Sequence, residues 1–351
     1  MRRLIPVLLL GSALAACSSG GGGSGSDGGG TVVTPTPTPA PGSTPTPTPT
    51  VSPTPTPVSS EPASGADFFS SIALLYSAQP NIAACQAGTL KPEVAQRVLA
   101  TLNDIRAHHN LPAVTYAPAD EPAVQQSALM MAANGALSHN PPTSWLCYTS
   151  AGATAAGQSN IYLGTGGLRY SQDADIMIGW LTDTNNVTAN NIGHRRWLLY
   201  PFLSTIAYGR VAGTWQTSNR ADGASIKVIN STQNTAGPLP DYVAYPFQDY
   251  PAKYFDTSAL LSFSVIANKT SNFGANSSVS FANAVITVKA RGGAMLTVSN
   301  QSWDNEGYGL PNSVQWNVAG LTANTIYDVT INNVTVSGAA RNYSYYFKLV
   351  P

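Results

Sequence analysis

Between residues 92 and 110, apolar side chains fall at Val94, Val98, Leu102 and Ile105, a spacing that places all four on one stripe of a helix. Pro92 suits the first turn. A second helix is predicted over 121–134, with Val124, Ala128 and Met131 facing inward, Asp120 as N-cap, Pro122 in the first turn and Gly135 as C-cap. It delivers Leu137-Ser138-His139 immediately past its end. A third, over 173–181, sets Ile176 and Trp180 four apart on one face and leads into Asp183. Short β-like runs at 160–163, 205–211 and 225–229 lie between and after these helices, which points to an α+β layered domain. Past about residue 242 the period becomes that of strands. Runs at 261–267, 278–284, 285–290, 295–298, 314–318, 326–331 and 343–350 are β-branched or aromatic and divided by Gly, Asn and Ser, as in an antiparallel β-sandwich.

The first sixty residues have no such periodicity. Arg2 and Arg3 precede an apolar run over 4–10 that is too short to span a bilayer, and Leu14-Ala15-Ala16-Cys17 supplies a small-residue cleavage site, so residues 1–16 are predicted to be an export leader. The Leu-Ala-Ala-Cys run resembles a bacterial lipobox, which implies acyl chains on Cys17 and a durable membrane anchor. Ser18 rather than Asp after that cysteine favours the outer membrane in lipoproteins of this type. Ordinary signal cleavage and secretion is the other reading. Residues 17–63 then form a Gly/Ser and Thr/Pro stalk, too poor in apolar surface to fold; residues 34–57 alone reach roughly 75 Å as polyproline II.

Three cysteines leave Cys85 and Cys147 once Cys17 is lipidated, and an even pair outside the cytoplasm is most simply a disulfide, with two buried thiols as the alternative. Formal net charge is zero and only 10% of residues are charged, which disfavours nucleic acid as a partner.

Candidate chemistry gathers around residues 175–201, where an apolar helix gives way to Thr, Asn and Gly and ends in His194, Arg195, Arg196 and Trp197. The ordered set Leu102-Asn103-Asp104-Ile105-Arg106, Leu137-Ser138-His139, Ser159-Asn160-Ile161, Trp180-Leu181-Thr182-Asp183 and Gly193-His194-Arg195-Arg196-Trp197 resembles the CAP superfamily of sperm-coating protein, antigen 5 and pathogenesis-related-1 (the SCP domain). The resemblance implies a three-layer α-β-α sandwich over 64–235 followed by an all-β sandwich over 242–351, an arrangement common in bacterial chains of this kind. It also implies a cleft in which His139 and His194 face two acids and bind a divalent metal in several members. Asp183 stands at one acid position. At the other the family has Glu-Asn-Ile and this chain has Ser159, so one acid is missing.

Two neutral imidazoles beside a carboxylate can hold a metal such as Zn²⁺ with an open position for an acidified water, although catalytic zinc usually has three protein ligands. Without that metal no cofactor is expected. Ser159, a histidine and Asp183 also supply the residue types of a nucleophilic triad, but no nucleophile elbow surrounds Ser159. The expected function is that of a non-enzymatic envelope module whose His139/His194 cleft binds a lipid, a glycan such as a peptidoglycan fragment, or a peptide partner. A weak metal-dependent hydrolase is the alternative. His108 and His109 are expected as exposed caps of the first helix, and of Arg195 and Arg196 one is expected to pair with a carboxylate and the other to lie on the surface. The asparagines at 185, 186, 190 and 191 read either as a ligand-binding loop or as a plain connector. In the sandwich, Trp303, Tyr308 and Trp316 are either core anchors or sugar-stacking platforms.

Overall fold

The stripe from Val94 to Ile105 is buried in the computed structural model, which describes residues 61–216, 219–234 and 237–351. The leader over 1–16, lipidation at Cys17 and the stalk up to residue 60 lie outside the described residues. Phe68–Ile72 forms α1, and a short ladder joins β1 (Tyr76–Ala78) to β2 (Thr89–Leu90). Helix α2 spans Pro92–Ala107 and ends short of residue 110, where Asn110 turns into the left-handed region at φ 56°. After β3 (Thr115–Tyr116), α3 (Glu121–Asn134) is closed by Gly135 at φ 58°. Asp120 makes no side-chain capping bond; its carboxylate pairs with Lys227 Nζ at 2.9 Å instead. Helix α4 (Ser150–Gly157) begins at Thr149, whose side chain accepts from Gly152 N. Its Ala/Gly composition gave no apolar stripe to read. Then come β4 (Ser159–Gly166), α5 (Asp173–Thr182), α6 (Gly193–Leu198), β5 (Thr205–Trp215) and β6 (Asn219–Lys227).

The α+β expectation holds, and the layering follows from the two-residue period of the strands. In the sheet ordered β3-β5-β6-β4, Ile206, Tyr208, Ala224 and Ile226 join Val98 and Leu102 of α2 and Trp180 of α5 in one core. The opposite face sets Val211 and Ala221 against Ala128 and Ala132 of α3, and Ala207 against Val124 and Ala155. Helix α3 lies so close to the sheet that a Cβ on Gly209 would stand 2.5 Å from backbone of Val124 and Gln125, so only glycine fits there. The Cys85–Cys147 disulfide is formed; its 62-residue separation corresponds to about 4 kcal/mol in the chain-entropy description.

One residue of the inward row of β5 is not apolar. Arg210 bonds Asp222 through Nε and Nη2 at 2.9 and 2.6 Å, Asp173 through Nη1 at 2.9 Å, and the Ser171 carbonyl at 2.8 Å. Burial favours loss of its proton, but the two carboxylates outweigh that and hold the guanidinium charge well above its ordinary range. Asp173 also meets Arg97 at 3.0 Å, and Arg97 meets Glu61 at 3.3 Å. Glu61 accepts from Tyr170 Oη at 2.6 Å and Asp173 N at 2.9 Å, while the Pro62 carbonyl accepts from Gln172 Nε2. The folded structure therefore takes hold of the chain already at Glu61, slightly before the composition change at residue 64.

The C-terminal strands are β7 (Tyr242–Tyr245), β8 (Gln248–Pro251), β9 (Leu261–Val265), β10 (Val285–Ala290), β11 (Met295–Leu296), β12 (Val298–Asp304), β13 (Ser313–Val318), β14 (Ile326–Val336) and β15 (Ala339–Val350). They form sheets ordered β11-β10-β14-β15-β8 and β12-β13-β9-β7, with Phe263, Val288, Trp316, Val329 and Phe347 packed in one core. Two expectations are corrected. Residues 278–284 are not a strand: Gly274–Ser278 is a 3₁₀ turn, and only the Ser280–Thr335 bridge follows, although Val279 and Phe281 still fill the core. The sandwich is also not wholly antiparallel, because β8 pairs parallel to β15.

The two layered bodies share a dense seam. Arg195 is fully buried, against the expectation of a surface position. Its guanidinium donates to the Leu181 and Thr182 carbonyls, to the Leu260 carbonyl at 2.6 Å and to Ser262 Oγ at 3.2 Å, and it lies 3.9 Å from the centre of the Tyr245 ring. Arg196 does pair with a carboxylate, Asp304, at 2.6 Å. Gly309, at φ 73°, brings the sandwich against α6, since a Cβ there would stand 2.5 Å from the Arg196 carbonyl oxygen.

His109 also belongs to this seam rather than to the surface. It is 2% exposed, with Nδ1 at 2.8 Å from the Ala244 carbonyl and Nε2 at 3.1 Å from Tyr250 Oη. Burial pulls its pKa down from 6.5 to about 3, so the folded protein keeps it neutral while an unfolded chain protonates it near 6.5. The stability it supports is complete above pH 6.5 and is lost as pH falls towards 3, on the order of 1 kcal/mol per pH unit. Unfolding free energies from urea titrations should decline from pH 6.5 to pH 5 towards that slope, and His109→Gln should flatten it. A decline that persists unchanged in the variant would show that another group is responsible.

Candidate functional site

Helix α5 ends on Asp183, which caps it in the left-handed conformation at φ 56°, with its N–H donating to the Gly179 carbonyl. Asp is one of the few side chains that tolerate this backbone. The turn aims the carboxylate across at α6. Oδ1 accepts from His194 Nδ1 at 2.6 Å and from Asn186 Nδ2 at 3.1 Å, and Oδ2 accepts from Arg195 N at 3.0 Å. Arg106, buried in α2, fixes the far end of α6 by donating to the Leu198 and Tyr200 carbonyls at 2.8 and 2.9 Å; burial lowers its pKa to about 9.

His139 is held separately. It follows the Gly135 cap of α3, and its Nδ1 lies 2.9 Å from the Ala156 carbonyl at the end of α4. The His194 carbonyl is held by Asn160 Nδ2 at 3.0 Å. The two histidines are thus anchored to the same short segment, residues 156–160, where α4 passes into β4. Each Nδ1 faces an acceptor oxygen, and at His194 the Asp183 contact at 2.6 Å outweighs the Asn186 Nδ2 donor at 3.4 Å, so the neutral rings carry the proton on Nδ1 and leave a lone pair on Nε2. This is the tautomer in which a carboxylate or carbonyl orients a metal-ligating imidazole.

Ser159 stands at the start of β4, 4% exposed, and its Oγ has no hydrogen-bond partner among the described residues. No imidazole is therefore in contact to activate it. No three His, Cys, Asp or Glu side chains gather as a metal site among the described residues. The donor set does not build a three-ligand catalytic zinc centre, and the fit extends only to two Nε2 lone pairs.

The asparagine loop is engaged mostly with itself and with the sandwich. Asn186 bonds Asp183, Asn191 Oδ1 accepts from Gly193 N at 2.6 Å, and the Asn190 carbonyl accepts from Gln315 Nε2 on β13. That last contact makes the connector part of the seam. Sequence reasoning missed the orienting tasks of Arg106, Arg195 and Asn160, because a buried arginine leaves no periodic trace. The one signal in reach was the presence of arginines inside runs otherwise apolar.

A cavity of about 610 Å³ is lined by the disulfide, Asn134, Leu146 and Trp215, and neither His139 nor His194 is among its lining residues. Residues 99–219 match the CAP family, described as the cysteine-rich secretory protein family. No protein in the curated set matches the chain.

Proposed function

Because residues 99–219 form a CAP domain, we propose that this chain is a non-enzymatic binding module of the bacterial envelope, lipid-anchored through Cys17 at the outer membrane and lifted from it by the Thr/Pro stalk. Its ligand, a lipid or a peptidoglycan fragment, meets the protein at the cleft of His139 and His194. The observation that carries this is the state of Asp183: its carboxylate is engaged by His194, Asn186 and the Arg195 amide. A carboxylate so bound orients an imidazole and is poorly placed to take a proton from water. The serine that replaces the second acid has no base in contact.

A second reading, a divalent-metal-dependent hydrolase, draws support from the Nε2 lone pair that each histidine keeps when its Nδ1 carries the proton. The two are separated by measuring metal content on untagged protein, binding to outer-membrane lipid vesicles and soluble muropeptides, and hydrolysis of those muropeptides. For the binding module, wild type shows no turnover, and His139→Ala and His194→Ala each weaken binding by on the order of tenfold. One bound metal per chain, with muropeptide hydrolysis lost in both variants at unchanged melting temperature, would establish the hydrolase instead.

A further inference from the structure

The outer strand of a sheet carries backbone groups without a ladder partner, and these pair readily with another chain unless something guards them. Most edges of this molecule are guarded. Strands β1, β2, β3 and β11 are only two or three residues long. Strand β7 has four residues and runs into Pro246, β8 has four with Asp249 and a closing Pro251, and the ladder of β12 is broken by a register shift between Ser299 and Ser302. The exception is β4, at the end of the β3-β5-β6-β4 sheet. Its eight residues pair with β6 in unbroken register from Ser159–Lys227 to Gly166–Arg220, and they include no charge and no proline.

The register decides which groups point outward. Val228 N donates to the Gln158 carbonyl at 2.9 Å, so in this antiparallel ladder Asn160, Tyr162 and Gly164 turn their N–H and C=O towards β6, while Ser159, Ile161, Leu163 and Thr165 turn theirs away. The Ile161 carbonyl agrees, because it accepts from Trp180 Nε1 at 3.1 Å, outside the ladder. Ser159, Asn160 and Ile161 are at most 5% exposed, so the edge is closed at that end. Further on it reaches the surface, with Leu163 and Gly164 half-buried and Thr165 exposed. The outward N–H and C=O groups of Leu163 and Thr165 have no partner among the described residues. Beside them, Leu137, Trp145 and Leu163 form a half-buried apolar shelf packed on Met131, Ala156 and Ile161.

We propose that the β4 edge is a self-association surface, at which two copies of this chain pair antiparallel through Leu163 and Thr165 and join their four-stranded sheets into one. About a two-fold axis through Gly164 the strand is its own complement. Leu163 of each copy then faces Thr165 of the other, and four N–H···O=C bonds use all the outward groups of both residues. This register does not call on the Ile161 carbonyl already held by Trp180. It sets the two Leu163 side chains diagonally across from each other, within contact range, so that apolar shelf meets apolar shelf. An uncharged strand meets an uncharged strand, with no like charges opposed. A foreign peptide is disfavoured because Gly164 and Gly166 give it little side chain to be recognised by. The inference does not rest on the His139/His194 cleft.

The test uses the full chain carrying Cys17→Ser, so that no acyl group adds association of its own. Sedimentation velocity over about 1 to 500 µM should show the mass rise from one chain to two. Amide hydrogen exchange, read by NMR at both ends of that range, locates the contact. Leu163 and Thr165 amides should exchange freely in the dilute protein and become protected as the dimer forms, while Tyr162 and Gly164, bonded to β6, stay protected throughout. Thr165→Pro deletes one outward N–H per copy and spares the β6 ladder, so it should raise the dissociation constant at least about tenfold at unchanged melting temperature. Thr165→Lys keeps the N–H but sets two ammonium groups across the axis, and should weaken the dimer similarly if the proline variant fails to fold. The proposal is overturned if the protein stays a single chain at the highest concentration, if it dimerises without protecting the Leu163 and Thr165 amides, or if neither Thr165 variant weakens the dimer. Protection of both amides at every concentration, with a peptide released on acid denaturation, would assign the edge to a foreign strand and overturn it as well.

Discussion

Replacing Arg210 with methionine should destabilise the fold by about 3–5 kcal/mol, because it leaves Asp222 and part of Asp173 as uncompensated charges in the core. The three side chains are each at most 2% exposed, so water cannot take over the arginine's task. Asp173 would retain Arg97 and Tyr208 Oη, whereas both of Asp222's side-chain bonds go to Arg210. The loss should therefore arise mainly from Asp222. Chemical unfolding of Arg210→Met, Asp222→Leu and the double variant resolves this as a coupling energy. The double variant should recover most of the stability lost in the arginine variant, since an apolar pair of similar volume avoids burying any charge. A single-variant loss below about 1 kcal/mol would mean that the network is not what holds the sheet to α5.

Arg195→Met is expected to cost a further large amount, about 4 kcal/mol, for a different reason. Among the described residues no carboxylate pairs with this guanidinium directly. Burial pulls its pKa down, opposed by Tyr245 and Asp183, and its worth lies in four acceptors on two bodies. Removing it strands the Leu181, Thr182 and Leu260 carbonyls, each at about 1–3 kcal/mol if left dry. Arg195→Lys should recover only a fraction, because one ammonium cannot reach acceptors spread over α5 and the approach to β9. Differential scanning calorimetry checks the size of the effect. A variant that unfolds in two separate steps would show that Arg195 couples the two bodies, and one that melts like wild type would refute the assignment.

The parts of the molecule legible from sequence are those that follow from periodicity. The stripe of α2, the Gly135 stop of α3 and most sandwich strands were visible because burial on one face writes a period of 3.6 or 2 into the chain. The errors occurred where tertiary contacts override local signals. Asp120 looked like a cap until Lys227, over a hundred residues on, claimed its carboxylate. Residues 278–284 have strand-like composition, yet they fill the core from a turn. His109 and Arg195 carry polar labels that suggest the surface, and only the arrival of β7, β8 and β9 supplies the partners that allow them inside. At the site, order and spacing of short motifs identified Asp183 and His194, which do meet, but could not foresee that the Asn160 amide would hold the His194 backbone beside the segment on which His139 is anchored.

Glu61 ties the first described residues into the buried charge network of the layered domain. Its carboxylate is held by Tyr170, Arg97 and the Asp173 amide. The chain of charges continues through Asp173 to Arg210 and into the central sheet. Loss of Glu61 alone would leave Tyr170 Oη without this acceptor and Arg97 with Asp173 as its carboxylate.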